Sequence, residues 1–382
     1  MDDEPRILDG LRRSLRVKRD EWDMSFADGG EPALEALAAD PYDVVVSDMR
    51  MPGMDGAQLL AEVSRRHPEV ARVVLSGHTE RESAIKAAIA GHRFLSKPTE
   101  ADVVIDVVGQ LIVRTSAAHG RRARRIAGAV RWLPALPRQD AELAGLLGAA
   151  EVDHDRVIDA VVQHIWLSAK LLQLSNSGFL GSRSKNASIA AVIGAMGVST
   201  IQGLFGAASA QDAPVGWTPA TEAYVRTVWR HAVATALLVE QVASPAHRPY
   251  AQAAALLQDV GRLAALNGDA PDPAAAGHDG LPFRDVGVEL LHLWGLPAPI
   301  VTAVAERDLP HEPAESGLGV TGALRTAHLL VQQTDARDPS AGRRDDELAR
   351  LLAHPQLAVR DTDWRRAAQA ASTRAGDRFE TR

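Results

Sequence analysis

The stretch "VVVSDMRMPGMDG", Val44 to Gly56, decides the fold of the first third of the chain. Three valines run into Asp48, and a Pro-Gly pair follows at Pro52 and Gly53. An apolar run of this kind reads as a parallel strand buried on both faces. A carboxylate at its end, under a Pro-Gly turn, puts an acidic group at the rim of a sheet.

The neighbouring sequence alternates strand and helix signals. "WDMSFA" (Trp22–Ala27) is expected as a strand and "EPALEALAAD" as a helix. "GAQLLAEVSRRH" is a helix, "ARVVLSG" a strand, "ERESAIKAAIAG" a helix, "RFLSK" a strand and "TEADVVIDVVGQLIV" a helix. Such alternation predicts a parallel sheet with helices on both faces. Ligands of open parallel sheets bind beyond the carboxyl ends of the strands. Three strand ends carry polar groups: Asp48, Ser76, and Lys97 followed by Pro98. Asp2 and Asp3 add two carboxylates. Clustered carboxylates repel one another unless a cation compensates them. Mg²⁺ suits one or two carboxylates with water and phosphate oxygens. A carboxylate beside that cation and Lys97 can attack phosphorus and form an acyl phosphate.

The stretches "MDDEPRILDGLRRSLR", "SDMRMPGMDG", "VVLSGH" and "FLSKP" resemble the receiver domain of two-component response regulators. The resemblance implies a flavodoxin-like α/β fold over residues 1–115 and Asp48 as phosphoacceptor. Asp2, Asp3, Asp48 and the backbone carbonyl of Arg50 would hold Mg²⁺. Lys97 and Ser76 would bind the phosphoryl group, with Phe94 following Ser76 as the switch aromatic, and Lys97–Pro98 would be cis. In the family an apolar strand precedes the acidic pair. That first strand is missing here, so the expectation is a start upstream, with Met1 where the family usually has valine.

From about Arg121 the strand signals vanish. "DAELAGLLGAAEV", "DRVIDAVVQHIWLSAKLLQL", "TEAYVRTVWRHAVATALLVEQVA" and "YAQAAALLQDVGRLAAL" carry apolar residues at helical spacing. His231, Asp259, Asp285, His292 and Glu306–Asp308 are scattered among these helices. A metal-dependent phosphohydrolase site needs an adjacent His-Asp pair with further His on neighbouring helices. The pair position here reads Gln258-Asp259, and an amide is a poor transition-metal ligand. His231 is expected as a hydrogen-bonded core histidine. The stretches "LPALP", "LLQLSNSGF", "ASIAAVIGAMG", "LLQDVGRL" and "FRDVGVELLHLWGLPAPIVTAVAERD" are similar to the HDOD family, metal-less relatives of the HD and HD-GYP phosphohydrolases. That likeness implies an all-α interaction module over residues 132–335, with Asn176 and Ser177 in its "NS" element and no transition metal.

The cluster "HGRRARRIAG", His119 to Gly128, is expected as a solvated face of a helical linker (116–131), continuing from the first domain. Residues 336–382 are expected as a polar, partly helical tail. The chain of 382 residues has net charge −7, no cysteine, and no run long and apolar enough for a membrane helix. Its acidic, polar start does not suggest a leader. These features point to a cytoplasmic protein for which DNA is not an electrostatically favoured partner. The expectation is a two-component response regulator that is not an enzyme. Its partners would be a sensor histidine kinase and a downstream signalling protein, and a homodimer is compatible with the sequence. The rival is a divergent HD-type phosphodiesterase gated by the receiver.

Overall fold

The structure is a computed structural model. It describes residues 1–77, 91–112, 118–131, 133–134, 136–149, 151–176, 187–209, 218–267, 281–309, 318–334, 348–352, 355–358 and 360–379. The expected helix beginning at Glu80, Ser177 and most of the loop before Phe283 lie outside the described residues.

The first domain holds α1 (Pro5–Ser14), α2 (Gly30–Ala39), β1 (Val44–Asp48), α3 (Gly56–Arg66), β2 (Ala71–Gly77), β3 (Arg93–Lys97) and α4 (Ala101–Ile112). The three strands form one parallel sheet in the order β1-β2-β3. β2 is the central strand, and Ala71 to Ser76 are all buried. Register sets Asp48 beside Leu75, and Ser76 beside Ser96. The ends of all three strands therefore meet at one rim. α3 starts on a capping box: the Gln58 N–H donates to Asp55 Oδ1 at 2.7 Å, and the Asp55 N–H donates to Gln58 Oε1 at 3.0 Å. Gly53 has φ +77° and turns the loop after Asp48.

Trp22–Ala27 does not form the expected strand. Its β propensity is adequate, but a strand needs a ladder, and its link to the chain start is one long bond, from the Asp2 N–H to the Ala27 carbonyl at 3.4 Å. Met1 pairs with β1 instead. Its amino group donates to the Val46 carbonyl at 2.9 Å, and its own carbonyl accepts from the Asp48 N–H at 3.1 Å.

The described remainder is helical: α5 (Ala118–Ala129), α6 (Pro137–Leu147), α7 (His154–Gln163), α8 (Ile165–Asn176), α9 (Ile189–Met196), α10 (Val198–Ser209), α11 (Pro219–Val242), α12 (Arg248–Leu257), α13 (Val260–Ala264), α14 (Phe283–Leu293), α15 (Ala298–Glu306), α16 (Val320–Gln333), α17 (Pro355–Ala358) and α18 (Asp361–Phe379). α11 is the pillar. Val225, Trp229, Ala232, Val233 and Ala236 are buried on it, and α12, α16 and α18 pack along it. α8 is buried on every side from Ile165 to Ser175, because β3, α7, α9 and α12 all meet it.

Two expectations need correction. The segment read as one helix from Asp155 to Leu174 breaks at His164, whose ψ of 87° is not helical. Its Nδ1 accepts from the Leu167 N–H at 3.3 Å and starts α8, so Nε2 carries the proton and donates to Asp140 Oδ1 at 2.8 Å. In the tail, expected as polar and partly helical, Asp361–Phe379 form α18. Trp364, Ala368, Ala371 and Ala375 are buried at helical spacing, and α18 lies against α11 and α16. In the linker, Arg124 is not solvated. It is buried in an ion pair with Glu289 at 2.7 Å, while Arg121, Arg122 and Arg125 stay exposed.

Candidate functional site

The rim of the sheet gathers most of the residues that the sequence singled out. Asp48 is 7% exposed and Asp2 1% exposed. Lys97 reaches both: its Nζ lies 2.8 Å from Asp2 Oδ2 and forms a close ion pair with Asp48. The second Asp48 oxygen accepts from the Arg50 N–H at 3.0 Å. Burial alone would lower the Lys97 pKa, but the bonds to Asp2 and Asp48 outweigh it and raise it. Asp3, Arg50 and Asp55 line a cavity of about 490 Å³ beside the loop that follows Asp48. Gly56 lets α3 approach that loop: a Cβ there would sit 2.1 Å from the Asp48 carbonyl oxygen. Ser76 is buried at the end of β2, and Phe94 is buried inside β3, 1% exposed. The Lys97–Pro98 bond is cis.

Among the described residues, no group of three or more His, Asp or Glu side chains stands close enough to hold a metal ion by itself. The rim still fits Mg²⁺. The carboxylates of Asp2 and Asp48 stand beside the Lys97 ammonium and the buried Met1 amino group, and the donors they offer are oxygens only. A hard cation that keeps several waters needs no more than one or two carboxylates.

The second site lies in the helical body. A cavity of about 760 Å³ is lined by His231, Asp259, Arg262, Arg307, Asp308 and His328, with residues of α18 closing one wall. The chain breaks between α12 and α13 at Gln258-Asp259, which sets the Asp259 carboxylate against this cavity. Arg307 Nη1 donates to Asp259 Oδ1 at 3.2 Å and to Gln258 Oε1 at 3.2 Å, and Arg307 Nε donates to Asp308 at 3.1 Å. Arg262 bonds the same Asp259 oxygen at 3.2 Å. Burial would push the Asp259 carboxyl up; the charges of Arg307, His231 and Arg262 outweigh it and hold the pKa below the usual range. His231 Nε2 lies 2.8 Å from His328 Nδ1, a partner that the sequence reasoning missed. His328 stands in the apolar run "AHLLV", and a histidine inside such a run was the available signal. Asp285 makes a surface pair with Arg284, and His292 lies at the joint with the first domain. Asn176 bonds back to the Leu172 carbonyl and closes α8.

Comparison with known proteins agrees with this division. The response regulator receiver domain matches residues 1–109, and the HDOD domain matches residues 133–280. The chain joins a receiver domain to an HDOD domain. The hydrogenase transcriptional regulatory protein HoxA of Cupriavidus necator is 37% identical over 29% of this chain and 23% of its own length. The DNA-binding transcriptional regulator NtrC of Escherichia coli is 38% identical over 23% of this chain and 19% of its own length. The match thus spans about a fifth to a quarter of these relatives. Among solved structures, the MmoQ response regulator of Methylococcus capsulatus is 24% identical, with a TM-score of 0.43 over 58% of this chain and 98% of that one. A virulence factor of Campylobacter jejuni is 19% identical, with a TM-score of 0.47 over 70% of this chain and 99% of that one. Among the described residues, no single helix is long and apolar enough to cross a membrane.

Proposed function

We propose that this response regulator accepts a phosphoryl group on Asp48 from a sensor histidine kinase, and that its HDOD domain acts on a downstream protein by binding rather than by catalysis. The observation that carries the first half is Lys97, whose ammonium faces both Asp48 and Asp2 at the sheet rim. An Asp48 oxygen attacks the phosphorus of the kinase phosphohistidine. The P–O bond forms as the P–N bond breaks, and the freed imidazole takes up a proton. Lys97 neutralises the oxygens of the transferring group, and the Ser76 hydroxyl donates to one of them. Asp2, Asp3, Asp48 and the Arg50 carbonyl would hold Mg²⁺, which supplies further positive charge to those oxygens. Phe94, already packed within β3, supports the strand that carries Lys97.

For the helical domain, the supporting observation is Arg307. Its guanidinium already compensates Asp259, and Gln258 offers an amide where a metal centre needs an imidazole. The rival phosphodiesterase needs transition metal at this place. Incubation with Zn²⁺ or Mn²⁺ followed by metal analysis separates the readings: stoichiometric retention, lost in His231→Ala, favours the enzyme. DNA binding stated in the name of NtrC is not carried over, because the match covers 19% of NtrC.

The test of the first half is phosphorylation by a small-molecule phosphodonor with Mg²⁺, followed by intact mass. The wild type is expected to gain a labile phosphate and Asp48→Asn none. Absence of phosphate from both overturns the reading.

A further inference from the structure

β2 and β3 each carry a rim residue at one end and a buried arginine at the other. Ser76 and Lys97 stand at the carboxyl ends, and Arg72 and Arg93 at the amino ends. Four residue steps separate the members of each pair, about 13 Å. Both arginines reach beyond their own domain. Arg72 is fully buried, and its Nη2 donates to the Gly128 carbonyl of α5 at 2.7 Å. Arg93 Nη2 donates to the His292 carbonyl at 2.7 Å, in the last turn of α14, where the helix dipole concentrates negative charge. The same His292 donates from Nε2 to the Gln110 carbonyl of α4 at 2.8 Å.

The joint continues across α8 and α5. Gln173 Nε2 donates to the carbonyls of Gly91 and His92, at 3.0 and 2.7 Å, in the turn that leads into β3. Lys170 Nζ donates to Gln173 Oε1 at 2.9 Å and lies 5.2 Å from the Trp294 ring centre. Arg124 pairs with Glu289 of α14 and donates to the Glu69 carbonyl at 3.1 Å. Among the described residues, three buried guanidinium groups, of Arg72, Arg93 and Arg124, and the buried Lys170 amine thus meet one buried acid, Glu289. Each guanidinium reaches one carbonyl across the joint, of Gly128, His292 and Glu69 respectively, while Arg72 Nη2 also lies 2.8 Å from His92 Nε2 of its own domain. Buried cations in this setting keep a large hydration energy in reserve, so release into water offsets much of what separation loses. Burial lowers the Arg72 pKa to about 9 and the Lys170 pKa to about 7.

We propose that this joint is where the HDOD domain reads the receiver, at the end of the sheet opposite the phosphorylation rim. The inference rests on the phosphoacceptor role given to Asp48. When Asp48 carries phosphate, Lys97 leaves Asp2 for the phosphoryl oxygens and Ser76 turns to them. Both strands are then drawn toward the rim at their carboxyl ends. Guanidinium-to-carbonyl bonds tolerate little displacement, so a shift of the strands weakens the hold of Arg72 on α5 and of Arg93 on α14. Phosphorylation loosens the joint and frees the faces of α5 and α14.

Hydrogen exchange on the full chain tests this, with and without a small-molecule phosphodonor and Mg²⁺, and with phosphate on the protein counted by intact mass. Phosphorylated wild type is expected to exchange several-fold faster in residues 118–129 and 283–293, and Asp48→Asn to be unchanged. Arg93→Met is expected to exchange fast at 283–293 without phosphate, while still gaining phosphate. Full phosphate by mass with unchanged exchange at both segments overturns the joint and leaves the phosphoacceptor reading standing. No phosphate on the wild type overturns both.

Discussion

Arg307 Nη1 and Asp259 Oδ1 are 3.2 Å apart, with side chains only 9% and 11% exposed. A protein cation stands against the one carboxylate that the Gln258-Asp259 pair retains. Removing one partner of a buried pair strands the other. Arg307→Met is expected to cost about 3 kcal/mol, the low end of the range for such pairs, because Arg262 stays on Asp259. Urea unfolding measures it. The lowered Asp259 pKa also fixes a sign. Its stabilisation is present above the unfolded pKa of about 4 and is lost as pH falls through the lower folded value. Asp259→Asn is expected to flatten the acid limb of the stability profile.

The Lys97 ammonium bridges Asp2 and Asp48. Lys97→Met leaves two buried carboxylates facing each other and removes the charge that would meet the phosphoryl oxygens. Phosphate uptake from a small-molecule donor is expected to slow at least tenfold, with far-UV circular dichroism unchanged. Uptake at the wild-type rate would place the phosphoryl-binding charge elsewhere.

Lys170 gives the joint a pH signature. Burial first, and the Arg72 charge second, lower its pKa to about 7. Below that value the folded chain carries a buried ammonium at a cost. Between about 7 and the unfolded value of about 10.4, the unfolded chain binds a proton that the folded chain does not. Stability from this group therefore rises with pH across that window, by at most about 1.4 kcal/mol per unit. Lys170→Met is expected to reduce that slope and to raise the urea midpoint at pH 6. An unaltered slope from pH 7 to 9 would show that Lys170 does not titrate there.

The rim was legible in part because three of its residues close apolar runs: Asp48 after three valines, Ser76 after "RVVL", Lys97 after "RFLS". The joint was not. Arg72 and Arg93 begin their strands, where a charge ordinarily reads as solvent-facing, and Lys170 sits in a helix whose exposed side the pattern leaves undefined. Their burial follows from the docking of a second domain, which no local spacing records. Trp22–Ala27 shows the converse: its residues favour a strand, but the ladder that would make it one is not there. The breaks at His164 and at Gln258-Asp259 escaped for a third reason. Neither is a proline, and each is held by tertiary bonds, from His164 to Asp140 and from Arg307 to Gln258 and Asp259.

Gly295 tests whether the joint is as tight as its distances imply. It follows α14 with φ +76°, a region that L side chains enter at a cost of about 1–2 kcal/mol. A Cβ at this position would sit 1.9 Å from Arg93 Nη1. The guanidinium cannot retreat without leaving the His292 carbonyl. Gly295→Ala is therefore expected to destabilise the chain by about 2–3 kcal/mol, and to do so by two separable routes. In the Arg93→Ala background the steric route is gone and only the backbone cost remains, so the second substitution should cost roughly half as much. A double-mutant cycle by urea unfolding reads the difference directly. Strict additivity of the two substitutions would mean that Arg93 does not pass over Gly295 in solution, and the contact between β3 and the end of α14 would lose its support.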